Sequence, residues 1–253
     1  MSQYKAITKL LGANVGAKRM HLVFDDFTEM FALAFRNGVD LRGREAREER
    51  YLQIAGQYSR DQLSRFAEAF GLIVKEMESD PSDVLGRLYM ELELGNEHLG
   101  QFYTPMGVSK LLAGMNLDSI VQQVEDRGFA EVYEPACGAA AFMIAMAIEM
   151  RRLGLNYQTQ LHVTAEDISA QAVHMAYLHM SLLHIPAVIY RRNTLTMETF
   201  DAWYTPAHIL NGWDWKLPRG DRSEESQETV AEVKPPTAIS APDWESVFGE
   251  VAS

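Results

Sequence analysis

From about residue 129 onward, short runs rich in β-branched and aromatic residues alternate with longer stretches of helical character. The β-rich runs cover residues 130–135, 161–167 and 187–192, and the helical stretches 139–153 and 169–183 lie between them. A strand, a helix and a further strand in succession form the repeating unit of a parallel sheet covered by helices. This order therefore predicts an α/β domain built on a parallel sheet.

Two further segments follow the third of these runs. The run Ala-His-Ile-Leu at 207–210 is short and mostly apolar, and we predict a fourth strand there. Beyond Lys216 the sequence is acidic and rich in proline, with few large apolar residues. Because such a composition cannot bury a core, it predicts a flexible tail over 216–253.

The amino-terminal part of the chain has a different pattern. Residues 20–95 carry apolar side chains at helical spacing and show no sustained alternation, which predicts an all-helical region. Ser59 and Gln62 fit a capping box at the start of one of its helices. The predicted helices cover 25–37, 44–57, Ser59 to Ser79, and a segment capped by Asp80 with Pro81 in its first turn. The predicted domains are a helical domain over 1–97, an α/β domain over 98–215 and the tail.

Charge and composition exclude several classes of protein. The 253 residues include 23 basic and 35 acidic side chains, a net charge of −12, so the chain has no overall attraction to phosphate and any DNA contact must be local. The single cysteine, Cys137, cannot form an internal disulfide or a cysteine zinc cluster, and we predict no metal site. The sequence has neither an apolar run of about 18 residues nor a signal peptide, which predicts a cytoplasmic protein without a membrane span.

The residues that follow the predicted strands are candidates for ligand binding, because ligands of open α/β sheets bind beyond the carboxyl ends of the strands. The first strand is followed by a run of small side chains around Gly138, which lets the backbone approach a ligand closely. The second strand is followed by Asp167, at the place where an acid accepts hydrogen bonds from ribose hydroxyls. The glycine pattern of dinucleotide-binding loops is absent.

Four short motifs, in this order along the chain, resemble those of one family. They are Gly-Gln-Phe-Tyr-Thr-Pro at 100–105 with Val108, Glu-Pro-Ala-Cys-Gly-Ala-Ala-Ala-Phe at 134–142, Ala-Glu-Asp-Ile at 165–168 and Asn-Thr-Leu at 193–195. The motifs are similar to those of the modification subunits of type I restriction-modification systems, which are adenine-N6 DNA methyltransferases. The resemblance implies an all-helical N-terminal domain followed by a truncated Rossmann-like methyltransferase domain.

The resemblance also implies S-adenosylmethionine as the cofactor, together with a set of residues that bind it. On this reading Asp167 holds the ribose, Asn193 meets the edge of the cofactor adenine, and neutral small residues leave room for the sulfonium. The implied cofactor-binding residues are Phe102, Thr104, Pro105, Glu134, Ala136, Gly138, Asp167 and Asn193.

The catalytic motif of the family, Asn-Pro-Pro-Phe or Asn-Pro-Pro-Tyr, is not intact in this chain. At the corresponding place the chain has Asn211-Gly212-Trp213. Asn211 offers a side-chain acceptor for the target amine and Trp213 an aromatic ring to stack on a flipped-out base, so these two are the predicted catalytic residues. Gly212 replaces a rigid proline with the most flexible residue.

Three functions are compatible with this pattern. The first is S-adenosylmethionine-dependent methylation of adenine N6 in DNA, with DNA and restriction-modification specificity or restriction subunits as partners. The second is a catalytically silent relative that binds those subunits or DNA as a regulator or anti-restriction decoy. The third is methylation of a substrate other than DNA.

Overall fold

The computed structural model describes residues 3–16, 18–92 and 104–217. Within these residues the helices are α1 (Gln3–Gly12), α2 (Met20–Val39), α3 (Arg44–Ala55), α4 (Arg60–Ser79), α5 (Val84–Glu91), α6 (Met106–Arg127), α7 (Ala141–Arg152), α8 (Tyr157–Gln160), α9 (Ala170–Leu182), α10 (Pro206–Leu210) and α11 (Trp213–Lys216). The strands are β1 (Ala130–Glu134), β2 (Leu161–Asp167), β3 (Ala187–Asn193) and β4 (Glu198–Tyr204). The predicted tail beyond 217 and the predicted boundary near residue 97 lie outside the described residues.

The amino-terminal helices α1 to α5 confirm the predicted all-helical region. Phe24, Phe27 and Phe66 are buried between them, and the ring of Phe31 stacks on that of Phe70 with 4.0 Å between centroids. Such aromatic pairs stabilise a core beyond the area that they bury.

Two helix starts in this region can be compared with the predictions. The capping box at α4 is confirmed, because Ser59 Oγ accepts a hydrogen bond from the Gln62 N–H and Gln62 Oε1 accepts one from the Ser59 N–H. The predicted cap of the next helix is wrong. Asp80 closes α4 by donating its N–H to the Glu76 carbonyl, and Asp83 caps α5 by accepting from the Gly86 N–H at 2.8 Å.

The sheet confirms the predicted parallel α/β arrangement for its first three strands. The strand order is β1-β2-β3-β4, with β1, β2 and β3 parallel and β4 antiparallel to β3. Val163, Ala165 and Ile189 alternate onto one face of the sheet and belong to the hydrophobic core. The helical region packs on the same core, where Gln171 Nε2 in α9 donates to Thr28 Oγ1 in α2 at 3.1 Å.

The predicted strand at 207–210 is wrong, because these residues belong to helix α10. Thr205 caps this helix by accepting from the His208 N–H at 3.3 Å, and Pro206 occupies its first position, where the missing N–H of proline costs nothing. The fourth strand is β4, immediately before this helix. Among the described residues, no helix combines the length and the apolar character that a membrane span requires.

Candidate cofactor site

Three of the predicted cofactor residues are the last residues of the three parallel strands. Glu134 ends β1, Asp167 ends β2 and Asn193 ends β3. Because neighbouring strands lie about 4.8 Å apart, these side chains follow one another along a single edge of the sheet. We call it the carboxyl edge, the edge at which open α/β sheets bind their ligands.

A tight bend, residues 134–140, leads from β1 into α7. Gly138 and Ala140 adopt left-handed backbone conformations with φ of 52° and 70°, and the Ala140 N–H donates to the Cys137 carbonyl at 2.8 Å. For alanine this conformation costs about 1–2 kcal/mol, so surrounding contacts must hold the bend in place. Ala136 is exposed at its outer side, whereas Cys137 is buried and burial raises the pKa of its thiol. The bend can therefore contact a ligand through its backbone groups, and it does not present a reactive thiol.

Asp167 connects β2 to this bend. Its Oδ2 accepts from the Gly138 N–H at 3.0 Å, and its Oδ1 accepts from the Ser169 N–H at 2.9 Å. Burial raises the pKa of Asp167, while hydrogen bonds from the backbone of Ser169, Gly138 and Ile168 act in the opposite direction. Since each carboxylate oxygen can accept more than one hydrogen bond, the pair can also receive two vicinal hydroxyls.

Glu134 lies at the start of the same bend. Its Oε1 accepts from the Ala136 N–H at 3.3 Å, and burial raises the pKa of its carboxyl. The structure thus brings Glu134, Ala136, Gly138 and Asp167 together at one end of the sheet. Two carboxylates at one edge suit a cationic ligand group.

Asn193 shapes the turn after β3. Its Oδ1 accepts from the N–H groups of Leu195 and Thr196 at 3.1 and 3.3 Å. Thr194 Oγ1 then donates to the Pro135 carbonyl at 2.9 Å, which ties this turn to the bend. The structure therefore places Asn193 at the predicted edge and uses its side-chain oxygen to close the turn.

The aromatic-threonine-proline motif is only partly described. Phe102 lies outside the described residues, and Thr104 and Pro105 are exposed at the start of α6, where Pro105 is the N-cap. Pro105 borders a hollow between α1, α5 and α6 that Tyr4 and Arg87 also line. Their expected contact with the cofactor stays a prediction.

The predicted catalytic residues lie at the opposite, amino edge of the sheet. The Trp213 side chain is fully buried, with its ring centroid 5.2 Å from that of Phe129, just before β1, and 5.1 Å from that of His162, near the start of β2. Asn211 Nδ2 donates to the Gln158 carbonyl at 3.3 Å, also ahead of β2. Four residues of strand lie between His162 and Asp167, so the two are about 16 Å apart.

The expected meeting of Asn211 and Trp213 with the cofactor residues is therefore not seen. The physical reason is the course of the chain after β3. Strand β4 runs antiparallel and returns to the amino edge, where the next residues form α10 and α11 instead of a strand that leads back. Gly212 is the N-cap of α11 and has a φ of 65°. Its backbone conformation, which glycine adopts without strain, allows the chain to begin this helix.

The amino edge also holds a histidine pair that the sequence did not indicate. His162 Nε2 lies 2.9 Å from His208 Nδ1, and both side chains are buried. Burial lowers the pKa of His162 to about 3, and the neighbouring His208 acts in the same direction. His162 is therefore neutral at physiological pH, and on the other side of the pair His208 Nε2 lies 3.3 Å from Asp214 Oδ1.

Sequence reasoning also missed the structural roles of three residues that support the carboxyl edge. Ser169 caps α9 by accepting from the Ala172 N–H at 3.3 Å. A serine just before a helical stretch indicates an N-cap, so this role could have been predicted from the sequence. Thr194 belongs to the Asn-Thr-Leu motif at 193–195, which did not indicate its hydrogen bond to Pro135, and His179 has no local signal. His179, in α9, reaches the Ala139 carbonyl across 40 residues of sequence.

Fold and site together define the class of protein. A parallel sheet with a bend of small residues after its first strand and an acid at the end of its second strand is the nucleotide-binding arrangement of Rossmann-like folds. A protein-family model described as N-6 DNA Methylase matches residues 82–216, more than half of the chain. The chain therefore belongs to the N-6 DNA methylase family.

This match confirms the family expected from the four motifs. Together with the helices and the sheet described above, it also confirms the predicted fold class, a helical amino-terminal region followed by a Rossmann-like methyltransferase fold. The matched residues begin just before α5 and extend to the end of α11, so they include the carboxyl edge.

Two solved structures resemble the chain. One, from Listeria monocytogenes, is described as a candidate class I S-adenosylmethionine-dependent methyltransferase, with 12% identity, a TM-score of 0.41 and coverage of 74% of this chain and 52% of that one. The other is a type I restriction-modification system methyltransferase subunit from Streptococcus thermophilus, with 16% identity, a TM-score of 0.41 and coverage of 77% and 58%.

The chain thus spans little more than half the length of either structure. Because both TM-scores lie below 0.5, we take the family from the family model alone. A search of curated proteins finds no match.

Proposed function

We propose that this protein binds S-adenosylmethionine at the carboxyl edge and acts as a methyltransferase of adenine N6 in DNA. The observation that carries the proposal is the hydrogen bond of 3.0 Å between the Gly138 N–H and Asp167 Oδ2. It joins the bend of small residues to the acid, so that one side chain fixes the bend and presents a carboxylate to a sugar.

The residues of this edge fit the cofactor. Asp167 can accept two ribose hydroxyls with the lone pairs that remain on its oxygens. Exposed Ala136 leaves room beside the bend, and the carboxylates of Glu134 and Asp167 favour a sulfonium. Bound S-adenosylmethionine would supply an electrophilic methyl group. The role of this chain is to hold the sugar and the bend so that the methyl group has one orientation.

The proposed partners follow from the family. We include DNA as the substrate and a restriction-modification specificity subunit as the protein that selects the target. Since the net charge is −12, any contact with DNA has to be local or shared with that partner. Asn211 and Trp213 have no part in the proposal, because they lie at the amino edge.

Calorimetric titration with S-adenosylmethionine tests the cofactor site. We expect binding by the native chain and loss of measurable binding by Asp167→Ala. Asp118→Ala removes an exposed carboxylate from α6 and is the matched control, with unchanged affinity expected. Absence of binding by the native chain would contradict the proposal.

Transfer of labelled methyl groups tests the chemistry. The acceptor is duplex DNA of mixed sequence that lacks adenine methylation, and the product is identified as N6-methyladenine. We expect transfer by the native chain, with the specificity subunit added where needed, and none by Asp167→Ala. Cofactor binding without any transfer under these conditions would remove the catalytic half of the proposal.

A further inference from the structure

His179 bridges the bend of the cofactor site and the start of helix α5. It is fully buried in the last turn of α9, with Nδ1 2.7 Å from the Ala139 carbonyl oxygen and Nε2 3.2 Å from the Leu85 amide nitrogen. An amide N–H can only donate, so Nε2 must accept, and Nδ1 carries the proton that is donated to the Ala139 carbonyl. The two contacts together define a single neutral tautomer.

The Ala139 carbonyl lies at the most strained point of the bend. The peptide unit between Ala139 and Ala140 leads into a left-handed alanine with φ of 70°. Its N–H donates to the Cys137 carbonyl and its C=O accepts from His179, so both ends of this peptide are held. The N–H two residues earlier, that of Gly138, is the one that donates to Asp167.

The other side of the bridge is rigid as well. Asp83, only 7% exposed, caps α5 through the Gly86 N–H, and its Oδ1 lies 3.8 Å from His179 Nδ1. A Cβ added to Gly86 would lie 2.3 Å from Asp83 Oδ2, so only glycine at this place admits the carboxylate. The Leu85 N–H, which donates to His179 Nε2, is therefore held in place by the capped start of α5.

We propose that His179 is a positioning residue for cofactor binding, which holds the bend against α5 and so keeps the Gly138 N–H aligned with Asp167. The inference rests on the proposed function, because it concerns the affinity of the same site. Burial lowers the pKa of His179 to about 4, so the neutral bridge persists at physiological pH.

Two variants separate the two hydrogen bonds of the ring. Asparagine at this position places an amide nitrogen near that of Nδ1 and can still donate to the Ala139 carbonyl, whereas glutamine reaches towards Leu85 and leaves that carbonyl without its donor. In calorimetric titration with S-adenosylmethionine we expect His179→Asn to stay within about threefold of the native affinity and His179→Gln to lose about tenfold or more.

A structural role alone would not distinguish these variants in this way. His162→Asn is the matched control, since His162 is as deeply buried as His179 but lies at the amino edge. It should lower the midpoint of thermal unfolding and leave the affinity unchanged. Equal affinities for the native chain and both His179 variants would overturn the proposal, as would losses of affinity that simply follow thermal stability in all three variants.

A measurement on the native chain needs no variant. Long-range proton–nitrogen NMR spectra of the imidazole should show the Nδ1–H tautomer for His179, and the Nε2–H tautomer would overturn the bridge. If the native chain fails to bind S-adenosylmethionine, the proposed function fails and the positioning role with it. Native binding with equal affinities of the Asn and Gln variants overturns the positioning role alone.

Discussion

The two edges of the sheet are built from the same strands and have opposite characters. At the carboxyl edge, small residues and half-buried carboxylates leave backbone N–H groups and oxygens within reach of a ligand. At the amino edge, Trp213 fills the space against Phe129 and His162. On the proposed function, one end of the sheet binds the ligand and the other end stabilises the fold by packing.

The difference has a chemical basis in the side chains. The carboxyl edge places carboxyl and amide groups where each still has hydrogen-bonding capacity, and a helix start and a strained bend supply the geometry. The amino edge joins a buried pair of histidines to an indole ring, and burial of that ring contributes free energy of folding. Substitutions at the two edges should therefore affect different quantities.

The largest expected effect is on stability, at the amino edge. Trp213→Ala should lower the free energy of unfolding by about 3–5 kcal/mol, because it leaves a cavity in a closed site. Its affinity for S-adenosylmethionine should stay at the native value at temperatures where it is folded. Denaturant titration gives the first quantity and calorimetry the second.

The control for this substitution is Trp215→Ala. The Trp215 side chain is 82% exposed, and its removal should change the free energy of unfolding by less than about 0.5 kcal/mol. A folded Trp213→Ala variant with strongly weakened cofactor binding would contradict the claim that the amino edge affects stability and only the carboxyl edge affects affinity.

The next effect is on affinity, at the carboxyl edge. Asp167→Ala should weaken S-adenosylmethionine binding about 100-fold or more, because it removes the two charge-assisted hydrogen bonds proposed for the ribose and the acceptor that anchors the Gly138 N–H. Isothermal titration at pH 8 measures the loss. An Asp167→Ala variant with near-native affinity would mean that the ligand of this edge does not use the acid.

The dependence of stability on pH should come in part from His162. Its pKa is lowered from 6.5 to about 3 in the folded chain, so below pH 6.5 the unfolded chain binds more protons and the free energy of unfolding falls as pH falls. Between pH 6.5 and 5 this group contributes roughly 2 kcal/mol of loss.

Denaturant titrations of the native chain and of His162→Gln at both pH values isolate this contribution. The variant should lose less stability than the native chain over this interval, and both should bind S-adenosylmethionine equally well at pH 8. Identical losses in the two proteins would show that His162 does not titrate as its burial implies.

The smallest effect concerns the link between the turn after β3 and the bend. Thr194→Val keeps the shape of the side chain and removes the hydrogen bond of 2.9 Å to the Pro135 carbonyl. We expect a loss of affinity of roughly threefold, in line with a hydrogen bond of about 0.5–1 kcal/mol near solvent. Thr199 is exposed in β4, and its Oγ1 accepts from Arg192 Nε at 2.7 Å. Thr199→Val also loses one hydrogen bond, but one outside the bend, so it serves as the comparison and should leave the affinity unchanged.

Much of the carboxyl edge could be predicted from the sequence. Its residues form local runs that directly follow the strands, and the rule for ligand binding in open α/β sheets places such runs together. The strands at 130–134, 161–167 and 187–193 could also be predicted, because their amino-acid composition differs clearly from that of the helical stretches between them.

The amino edge could not be predicted in the same way. A run of four apolar residues such as 207–210 does not distinguish a strand from a helix, and only Thr205 and Pro206 indicated a helix start. The position of Trp213 depends on the antiparallel return of β4, which is a property of long-range packing. Motif order alone therefore placed Asn211 and Trp213 next to the cofactor, and the fold places them at the other end of the sheet.

NMR titration of the native chain with S-adenosylmethionine tests the division between the two edges most directly. We expect large shifts of the backbone amides of Gly138 and Ser169, which donate to the Asp167 carboxylate, and little change of the Trp213 indole N–H. Large shifts of the Trp213 indole together with unchanged Gly138 and Ser169 amides would contradict the account.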